Sequence, residues 1–390
     1  MAEWRECSLE SVCSRLSSGK GISAKLISES GVYPVYGGNG IRGYTDTSNF
    51  KGECAIVGRQ GAYCGNVRYF RGEAYMTEHA VVVCANEDNC TRYLAYLLAT
   101  MNLGRLSAQS AQPGLSVKTL GKQEIRMPDK KVQLKCAELL GSLDEKISHN
   151  EEVNKNLTDQ IKALCNAWLN NYVPFGGMCP NNWKLTPLSE IAMFVSGYSY
   201  KGKELQESSI AMATIKNFDR KGGFKLDGFK EIIPSSKLKP EQYADLFDTL
   251  VAHTDLTQNA DVIGNAEPVL SLSGYEDIIF SMDVVKVLPK ASGISKFLIA
   301  AMLQTQRFKR HCLGYVNGTT VLHLSKKALP EYSLMLPSDF SILKPLDNAV
   351  TSLYQQMALN IEESTKLTEL RDSLLPRLMS GEIDVSIISL

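Results

Sequence analysis

Gly38, Asn39, Gly40, Ile41, Arg42 and Gly43 satisfy G-x-G-x-x-G, a spacing that can cradle a phosphate. Such a loop holds a dinucleotide or adenosylmethionine when a helix follows directly and turns its N–H groups toward the phosphate. Here "YTDTSNF" follows, a poor helix opening, so a hairpin is expected instead. The chain has no G-x-x-x-x-G-K-[ST], no G-x-S-x-G, no H-E-x-x-H and no N-P-P-[FY]. Its five histidines (His79, His149, His253, His311 and His323) show no metal-ligand spacing. His79 lies in a β-rich run and reads as a packed or hydrogen-bonded residue rather than a base. The acidic residues form no nuclease-like cluster. The motifs of a catalyst are missing, and this argues against a stand-alone enzyme.

The 390 residues allow two to three domains, and 44% hydrophobic content suffices for a core in each. No run of eighteen apolar residues exists, so no membrane span is expected. "MAEWRECSLE" lacks an apolar signal core, which predicts a cytoplasmic protein. The ten cysteines contain no C-x-x-C pair, so reduced thiols are expected and a zinc site is not. Net charge is zero. Residues 1–130 carry 15 basic and 12 acidic side chains, residues 181–338 carry 18 and 16, and residues 339–390 carry four and eight. The small positive excess therefore lies in two globular parts. If the chain binds nucleic acid, a partner supplies much of the phosphate neutralisation.

Two long stretches organise the rest. Leu143, Ile147, Asn150, Asn154, Leu157, Ile161, Leu164 and Trp168 recur at steps of four and three. So do Leu353, Met357, Asn360, Ser364, Leu367, Arg371, Leu374 and Leu378. This is the seam of a coiled coil. The two seams superimpose at a shift of 210 residues, which also pairs "NEEVNKNLT" with "NIEESTKLT". That is an internal duplication. Asn150 and Asn360 fall at equivalent seam positions, either buried to fix register or lying where the seam is frayed and solvated. Arg371 and Ser364 suggest a second helix that is less buried, or one that meets another protein.

The globular parts repeat the plan. Trp4 to Leu16 reads as an irregular strand or short helix, "GVYPVYGGNGIRGYTD" as a hairpin turning at Asn39-Gly40, and "ECAIVGRQGAYCGNVRYF" as another near Gln60-Gly61. "AYMTEHAVVVCA" is β-rich, and "TRYLAYLLATMNLGRL" has helical spacing. Asp129 is the expected N-cap of the first long helix, which stops at "VPFGG". In the second part, Trp183 answers Trp4 and Leu188 answers Leu9. "GYVNGTTVLHLSKKALPEYSLMLP" answers "SAQPGLSVKTLGKQEIRMP", with Val321 and Leu324 set against Val117 and Leu120. The middles do not match in sequence, which reads as a duplicated frame with a divergent interior. A hairpin is expected at Lys221-Gly222-Gly223. Residues 294–315 have helical spacing and end in Arg307, Lys309, Arg310 and His311. That basic end suits either a helix C-terminus or a phosphate contact.

The chain resembles the specificity subunit of type I restriction-modification enzymes over almost its whole length. The resemblance rests on "EWRECSLESV", "NNWKLTPLSEI", "YPVYGGNGIRGY", "GLSVKTLGKQEIRMP" and, most specifically, "LTELRDSLLPRLMSGEIDV". It implies an α+β fold: two similar mixed α/β target recognition domains, separated by two long antiparallel coiled-coil helices, with a pseudo-twofold internal duplication. The boundaries expected are a first recognition domain over 1–128 and a first spacer helix over 129–174. A linker at 175–182 leads to a second domain over 183–337. A second spacer helix over 338–381 and a tail over 382–390 follow. The resemblance implies a non-catalytic subunit that directs two methylation subunits and restriction/translocase subunits to a bipartite target in double-stranded DNA. S-adenosylmethionine, ATP and magnesium would belong to those partners, with no cofactor or metal in this chain. "IRMPDKKVQLKCAELL" departs from the family in lacking Pro-Pro and Glu-Gln, which bears on methylation-subunit docking. Acidic residues on the outer helix faces, with Arg371 and Arg377, are expected to contribute to that docking. A forty-residue helix spans roughly 60 Å, an upper bound on the separation of the two readers.

Readers of bases or phosphates are expected in polar loops. In the first half they are Tyr36, Asn39, Arg42, Arg59, Gln60, Tyr63, Asn66, Gln109, Gln112 and Lys118. In the second they are Tyr198, Lys201, Lys216, Asn217, Thr254, Asp255, Thr257, Arg310, Asn317 and Thr319. Arg, Asn and Gln suit bidentate contacts to guanine or adenine edges, whereas Lys mostly meets phosphate. The competing reading is a coiled-coil assembly scaffold with weak or lost DNA recognition.

Overall fold

The computed structural model describes residues 4–107 and 114–385. They form two compact units: residues 1–148 with 365–390, and residues 149–364. The units divide within the long helices, so each takes part of both. This differs from a division into recognition domains and separate spacer helices at 128, 174, 337 and 381.

The first unit opens with β1 (Trp4–Ser8) and β2 (Cys13–Ser18), joined by a 3-10 turn. Then come β3 (Tyr33–Gly37), β4 (Gly40–Thr45), β5 (Phe50–Gly58), β6 (Val67–Met76) and β7 (Ala80–Ala85). Helices α1 (Thr91–Thr100) and α2 (Val117–Gly121) precede β8 (Glu124–Pro128) and α3 (Lys130–Leu169). Strands β2-β7-β5-β6-β3-β4 make one sheet, and β1 pairs with β8. Successive side chains on a strand point to opposite faces. Ala55, Val57, Val81 and Val83 therefore face a core with Tyr93, Leu94 and Leu98 of α1 and Val132, Cys136 and Leu140 of α3. Cys54, Ile56, Ala80 and Val82 face a second, smaller core with Phe50 and Met76.

The second unit runs β9 (Trp183–Pro187), α4 (Leu188–Ile191), β10 (Ala192–Ser196), β11 (Ile210–Ala213) and β12 (Lys230–Glu231). It continues with β13 (Thr249–Ala252), β14 (Thr254–Asp255), β15 (Ala266–Pro268), β16 (Asp277–Phe280) and β17 (Val284–Pro289). Helices α5 (Lys296–Leu303) and α6 (Gln306–Leu313), strands β18 (Val316–Asn317) and β19 (Leu322–Leu324), and α7 (Ala328–Glu331) lead to β20 (Ser333–Pro337) and α8 (Lys344–Ser380). Its core packs Val251, Val285 and Val287 against Leu298–Leu303, Phe308, Ile161, Cys165, Val350 and Tyr354.

The frame repeats at the level of hydrogen bonds. Trp4 pairs with Pro128, and Trp183 with Pro337. Leu9 N donates to Gln123 O (2.9 Å), and Leu188 N to Tyr332 O (2.7 Å). This register sets Leu115 against Leu324 and Leu120 against Leu329. It corrects the alignment of Val321 and Leu324 with Val117 and Leu120, which slipped because both segments offer apolar residues three apart. The interior also repeats. β3 runs parallel to the end of β6, and β11 runs parallel to β16. Thr77 N donates to Tyr36 O, and Ser281 N to Ala213 O, both at 2.9 Å. The divergent middles thus share a backbone plan. Insertions hid it: the counterpart of continuous β6 is split into β15 and β16.

Local features differ from expectation in small, explicable ways. The β3–β4 turn is Gly38-Asn39, and Gly40 opens β4 at φ 103°. That conformation suits only glycine, which is why the G-x-G pattern occurs in a hairpin. Thr77–His79 breaks "AYMTEHAVVVCA" between β6 and β7. Residues 294–315 are two helices, because the Thr305 hydroxyl caps the second by accepting from Phe308 N at 3.3 Å. Asp129 accepts from Val132 N at 3.0 Å and opens α3. α3 stops at Leu169, ahead of 174, and Tyr172 then adopts φ 50°. α8 begins only at Lys344, after a 3-10 turn at Phe340–Leu343. Pro345 lies in its first turn, where a missing N–H costs nothing.

The seam asparagines are buried, Asn150 at 2% exposure and Asn360 at 8%. Within the second unit, Asn150 Nδ2 donates to Glu363 Oε2 (2.8 Å), and Asn360 Nδ2 to Asn154 Oδ1 (2.8 Å). Gln356 donates to Asn360 Oδ1 at 2.9 Å. Buried amides paired this way hold one register, because a slip strands them without partners. In the first unit, Arg371 pairs with Asp144 at 2.9 Å and Asp372 at 2.7 Å, and Arg377 pairs with Glu382 at 2.7 Å. Both arginines are thus engaged within their own unit, which weakens the expectation that they dock a partner. Among the described residues, no helix is long and apolar enough to cross a membrane. Among them too, no group of three or more His, Cys, Asp or Glu could hold a metal ion.

Candidate nucleic-acid interface

Four backbone hydrogen bonds build the same loop platform in each unit. After β5, Gly58 N donates to Asn66 O (2.8 Å) and Gly65 N to Gly58 O (2.8 Å). Arg59 N donates to His79 O (3.0 Å), and Leu115 N to Arg59 O (2.8 Å). After β13, Ala252 N donates to Asn265 O (3.0 Å) and Gly264 N to Ala252 O (2.9 Å). His253 N donates to Asp283 O, and Leu324 N to His253 O, both at 2.8 Å. Arg59 and His253 therefore occupy one structural position, followed by Gln60 and Thr254. The loops differ in length: Gly58 and Gly65 lie seven positions apart, Ala252 and Gly264 twelve.

In the first unit this platform gathers most of the expected readers. A Cβ on Gly58 would lie 2.6 Å from Gly38 O, so the β3–β4 turn closes directly over β5. Asn39, Arg42, Gln60, Tyr63 and Asn66 are exposed around that contact, and Arg59 and Tyr36 are half-buried. Arg59 Nη1 reaches Ser18 Oγ at 3.4 Å. Tyr36 packs on Phe70 with ring centroids 5.0 Å apart. Burial raises the Tyr36 hydroxyl pKa above its ordinary value, partly opposed by the Arg68 charge. Lys118 is exposed on α2, four residues past the Gln60–Gly114 bridge. Gln109 and Gln112 lie outside the described residues. Arg68 escaped the sequence reading. It is exposed, and its guanidinium lies 3.5 Å from where a Cβ on Gly40 would be. The one signal for it was a cation alternating with Phe70 along an aromatic strand.

In the second unit, four expected readers hold the fold instead. Tyr198 is 5% exposed, and its hydroxyl donates to Glu204 Oε1 at 2.9 Å. Asn217 is fully buried; it accepts from Thr214 N (2.8 Å) and donates to Lys225 O (2.8 Å). Thr254 is buried and donates to Asp283 Oδ1 at 3.0 Å. Asp255 is buried and accepts from Thr257 N (2.8 Å) and Val262 N (2.9 Å). Burial pushes its carboxyl up, but these hydrogen bonds outweigh it and hold the pKa below the ordinary value. Asn217 and Asp255 thereby satisfy backbone groups that would otherwise be orphaned. Lys201, Lys216, Arg310, Asn317 and Thr319 remain exposed, and Thr257 is half-buried. Gln258 Nε2 donates to Thr319 O at 2.6 Å, which joins the Asp255 loop to the β18–β19 turn.

The basic end of α6 is largely tied into its own unit. Arg307 donates to Ser333 O (3.1 Å), Lys309 to Ile263 O (2.6 Å) and Asn265 Oδ1 (2.7 Å), and His311 bonds Ala328 O (2.8 Å). Three of the four are thus committed to the fold.

His253 is the half-buried counterpart of Arg59, with its Nε2 atom shielded from solvent. Burial, with a smaller contribution from Lys326, lowers its pKa to about 4. The unfolded chain then binds a proton near pH 6.5 that the folded chain refuses until about pH 4. Stability from this group is complete above pH 6.5 and falls with pH through that window, by about 2 kcal/mol at pH 5. Urea unfolding at pH 7 and pH 5 should show a smaller difference in His253→Leu than in the parent. An equal difference would refute the assignment.

Residues 1–159 match the family model described as "Type I restriction modification DNA specificity domain". The chain is 39% identical over 155 residues to the type I restriction enzyme EcoprrI specificity subunit of Escherichia coli, covering 39% of this chain and 37% of that protein. It is 19% identical over 340 residues to the HindI specificity subunit of Haemophilus influenzae, covering 70% and 71%. The crystal structure of the type I restriction-modification S subunit from M. genitalium superimposes with a TM-score of 0.61 at 18% identity, covering 97% of this chain and 96% of that one. The match to the E. coli relative thus spans little more than a third of that protein, whereas the likeness in fold spans nearly all of this one. The chain shares with that S subunit a mixed α/β fold with long helices. Residues 1–159 thus resemble a type I restriction-modification DNA specificity domain, and the chain as a whole is similar to specificity subunits of such systems.

Proposed function

We propose that this chain reads a bipartite target in double-stranded DNA and directs the methylation and restriction subunits of a type I complex to it. Each unit reads one half of the target. Helices α3 and α8 form the antiparallel spacer between two recognition domains, and the DNA between the half-sites is not read. The chain is not itself a catalyst. Adenosylmethionine, ATP and magnesium act in its partners, which are two methylation subunits and the restriction/translocase subunits, in the cytoplasm. Pseudo-twofold repetition suits docking of two identical methylation subunits, as a dimer suits a palindrome.

The observation that carries this reading is the repeated four-bond platform with different side chains on it. One backbone geometry presents Arg59, Gln60, Tyr63 and Arg68 in the first unit. It presents Leu256, Thr257 and Gln258 in the second. Conserved geometry with exchanged side chains is what two readers of unlike half-sites require. The test is methylome sequencing of a methylation-deficient host that expresses this chain with its methylation subunit. A split motif is expected, and exchange of residues 1–128 for those of a relative should rewrite one side only. Full assembly without any modified motif would leave the scaffold reading.

A further inference from the structure

Asp255 and Leu256 are neighbours whose environments are inverted. The carboxylate is 4% exposed and the leucine 67%. Asp255 is drawn inward to bind Thr257 N, the Thr257 hydroxyl (2.9 Å) and Val262 N, which closes the loop on itself. Ala260, in the same loop, is buried and held at φ 52°, a conformation an alanine adopts only under constraint. Gln258 fastens the loop from outside through Thr319 O. A single exposed leucine on a surface is ordinary. A leucine held out by a buried carboxylate, a left-handed alanine and a loop-to-loop bond is preorganised.

The first unit also exposes one large side chain from the corresponding loop. The loop that leaves β5 begins at the same structural position, turns through Gly61 at φ 79° and Gly65 at φ 84°, and holds Tyr63 51% exposed. Both platforms thus offer solvent one large, mainly apolar side chain in the first loop after the equivalent strand. The two loops start at one structural position but differ in length and in the residue they expose.

We infer that Leu256 is an apolar base contact that reads a thymine methyl group in the half-site of the second unit. This rests on the proposed DNA-reading function. An aliphatic side chain has no hydrogen bond to give, and the thymine C5-methyl is the apolar feature of the major-groove edges. Thr257 and Gln258 beside it supply polar atoms for the neighbouring positions.

The test uses the full chain assembled with its methylation subunits and duplexes carrying the motif found by methylome sequencing. Each thymine of the second unit's half-site is replaced in turn by uracil, which pairs identically and lacks the methyl. One replacement should weaken binding about 4-fold, the factor carried by one buried methyl group. Leu256→Ala should weaken binding to the thymine duplex by a similar or larger factor and abolish the thymine–uracil difference at that position alone. It removes only exposed atoms and leaves Asp255 in place, and an unchanged unfolding curve checks this. A half-site without an A·T pair, or no position at which the difference disappears in Leu256→Ala, overturns the inference while the DNA-reading function stands. A parental complex that binds no DNA overturns both.

Discussion

Asp248→Ala is expected to destabilise the second unit by about 3–5 kcal/mol, the cost of stranding one member of a buried ion pair. Lys286 and Asp248 lie 3.3 Å apart with side chains 5% and 7% exposed. Lys286 also donates to Tyr243 O and lies 5.8 Å from the Phe280 ring centroid. Neither can replace a carboxylate. Asp248 Oδ2 accepts in addition from Asp245 N at 3.0 Å, so the variant loses a turn as well as a countercharge. Lys296, 3.9 Å from the other carboxylate oxygen, is a third of the way into solvent and rehydrates readily. The prediction is checked by urea unfolding. The double variant Asp248→Ala/Lys286→Met should recover most of the loss, since it removes the stranded charge along with its partner. A single variant within about 1 kcal/mol of the parent would mean that water reaches the pair, contrary to its burial.

That pair also marks how far the sequence could be read. The hydrogen-bond register places Lys286 where the first unit has Val82, a fully buried core valine. A lysine in a strand reads as a surface residue, and its partner lies 38 positions away. No local pattern connects them. Asn217 and Asp255 misled in the same way. Polar residues in loops invite a surface reading, yet both are drawn inward by backbone groups within eight residues. The helices were legible because four-three spacing is a local property, and the frame because Trp4 and Trp183 open matching apolar patterns. The interior duplication was not, because hydrogen bonds between backbone atoms leave no trace in side-chain identity, and unequal loops shift every later match. More of the first-unit candidates than of the second-unit candidates stay at the surface, because their loops are short. With seven positions between Gly58 and Gly65, there is little room for a polar side chain to turn inward.

On the proposed function, Gly58→Val should remove recognition of one half-site while leaving the other intact. A Cβ at Gly58 would lie 2.4 Å from Tyr63 O and 2.6 Å from Gly38 O. Both are backbone atoms, so neither can rotate away. The β3–β4 turn and the loop carrying Tyr63 must separate by the better part of an ångström. Gly38 is itself confined, since a Cβ there would lie 3.1 Å from His79 O and 3.5 Å from Arg59 N. The displacement is then shared by every segment that presents Asn39, Arg42, Arg59, Gln60 and Tyr63. The stability cost is that of modest overpacking, about 1–3 kcal/mol. On the proposed function the cost in recognition is larger, because the contacts proposed for several of these side chains are lost together. At about 1–3 kcal/mol for each good contact, binding should fall at least 100-fold. Assembly with the methylation subunits and the fold of the second unit should persist, since α3, α8 and residues 183–337 are untouched. Methylome sequencing then separates the outcomes. A motif degenerate on one side only is expected, and an unaltered bipartite motif would show that the platform at the end of β5 does not read DNA. The second unit offers an internal comparison. Ala252 stands at the equivalent position and already carries the Cβ that Gly58 cannot. Its longer loop leaves room for that atom, so the two platforms reach one hydrogen-bond pattern with different tolerance for side-chain bulk.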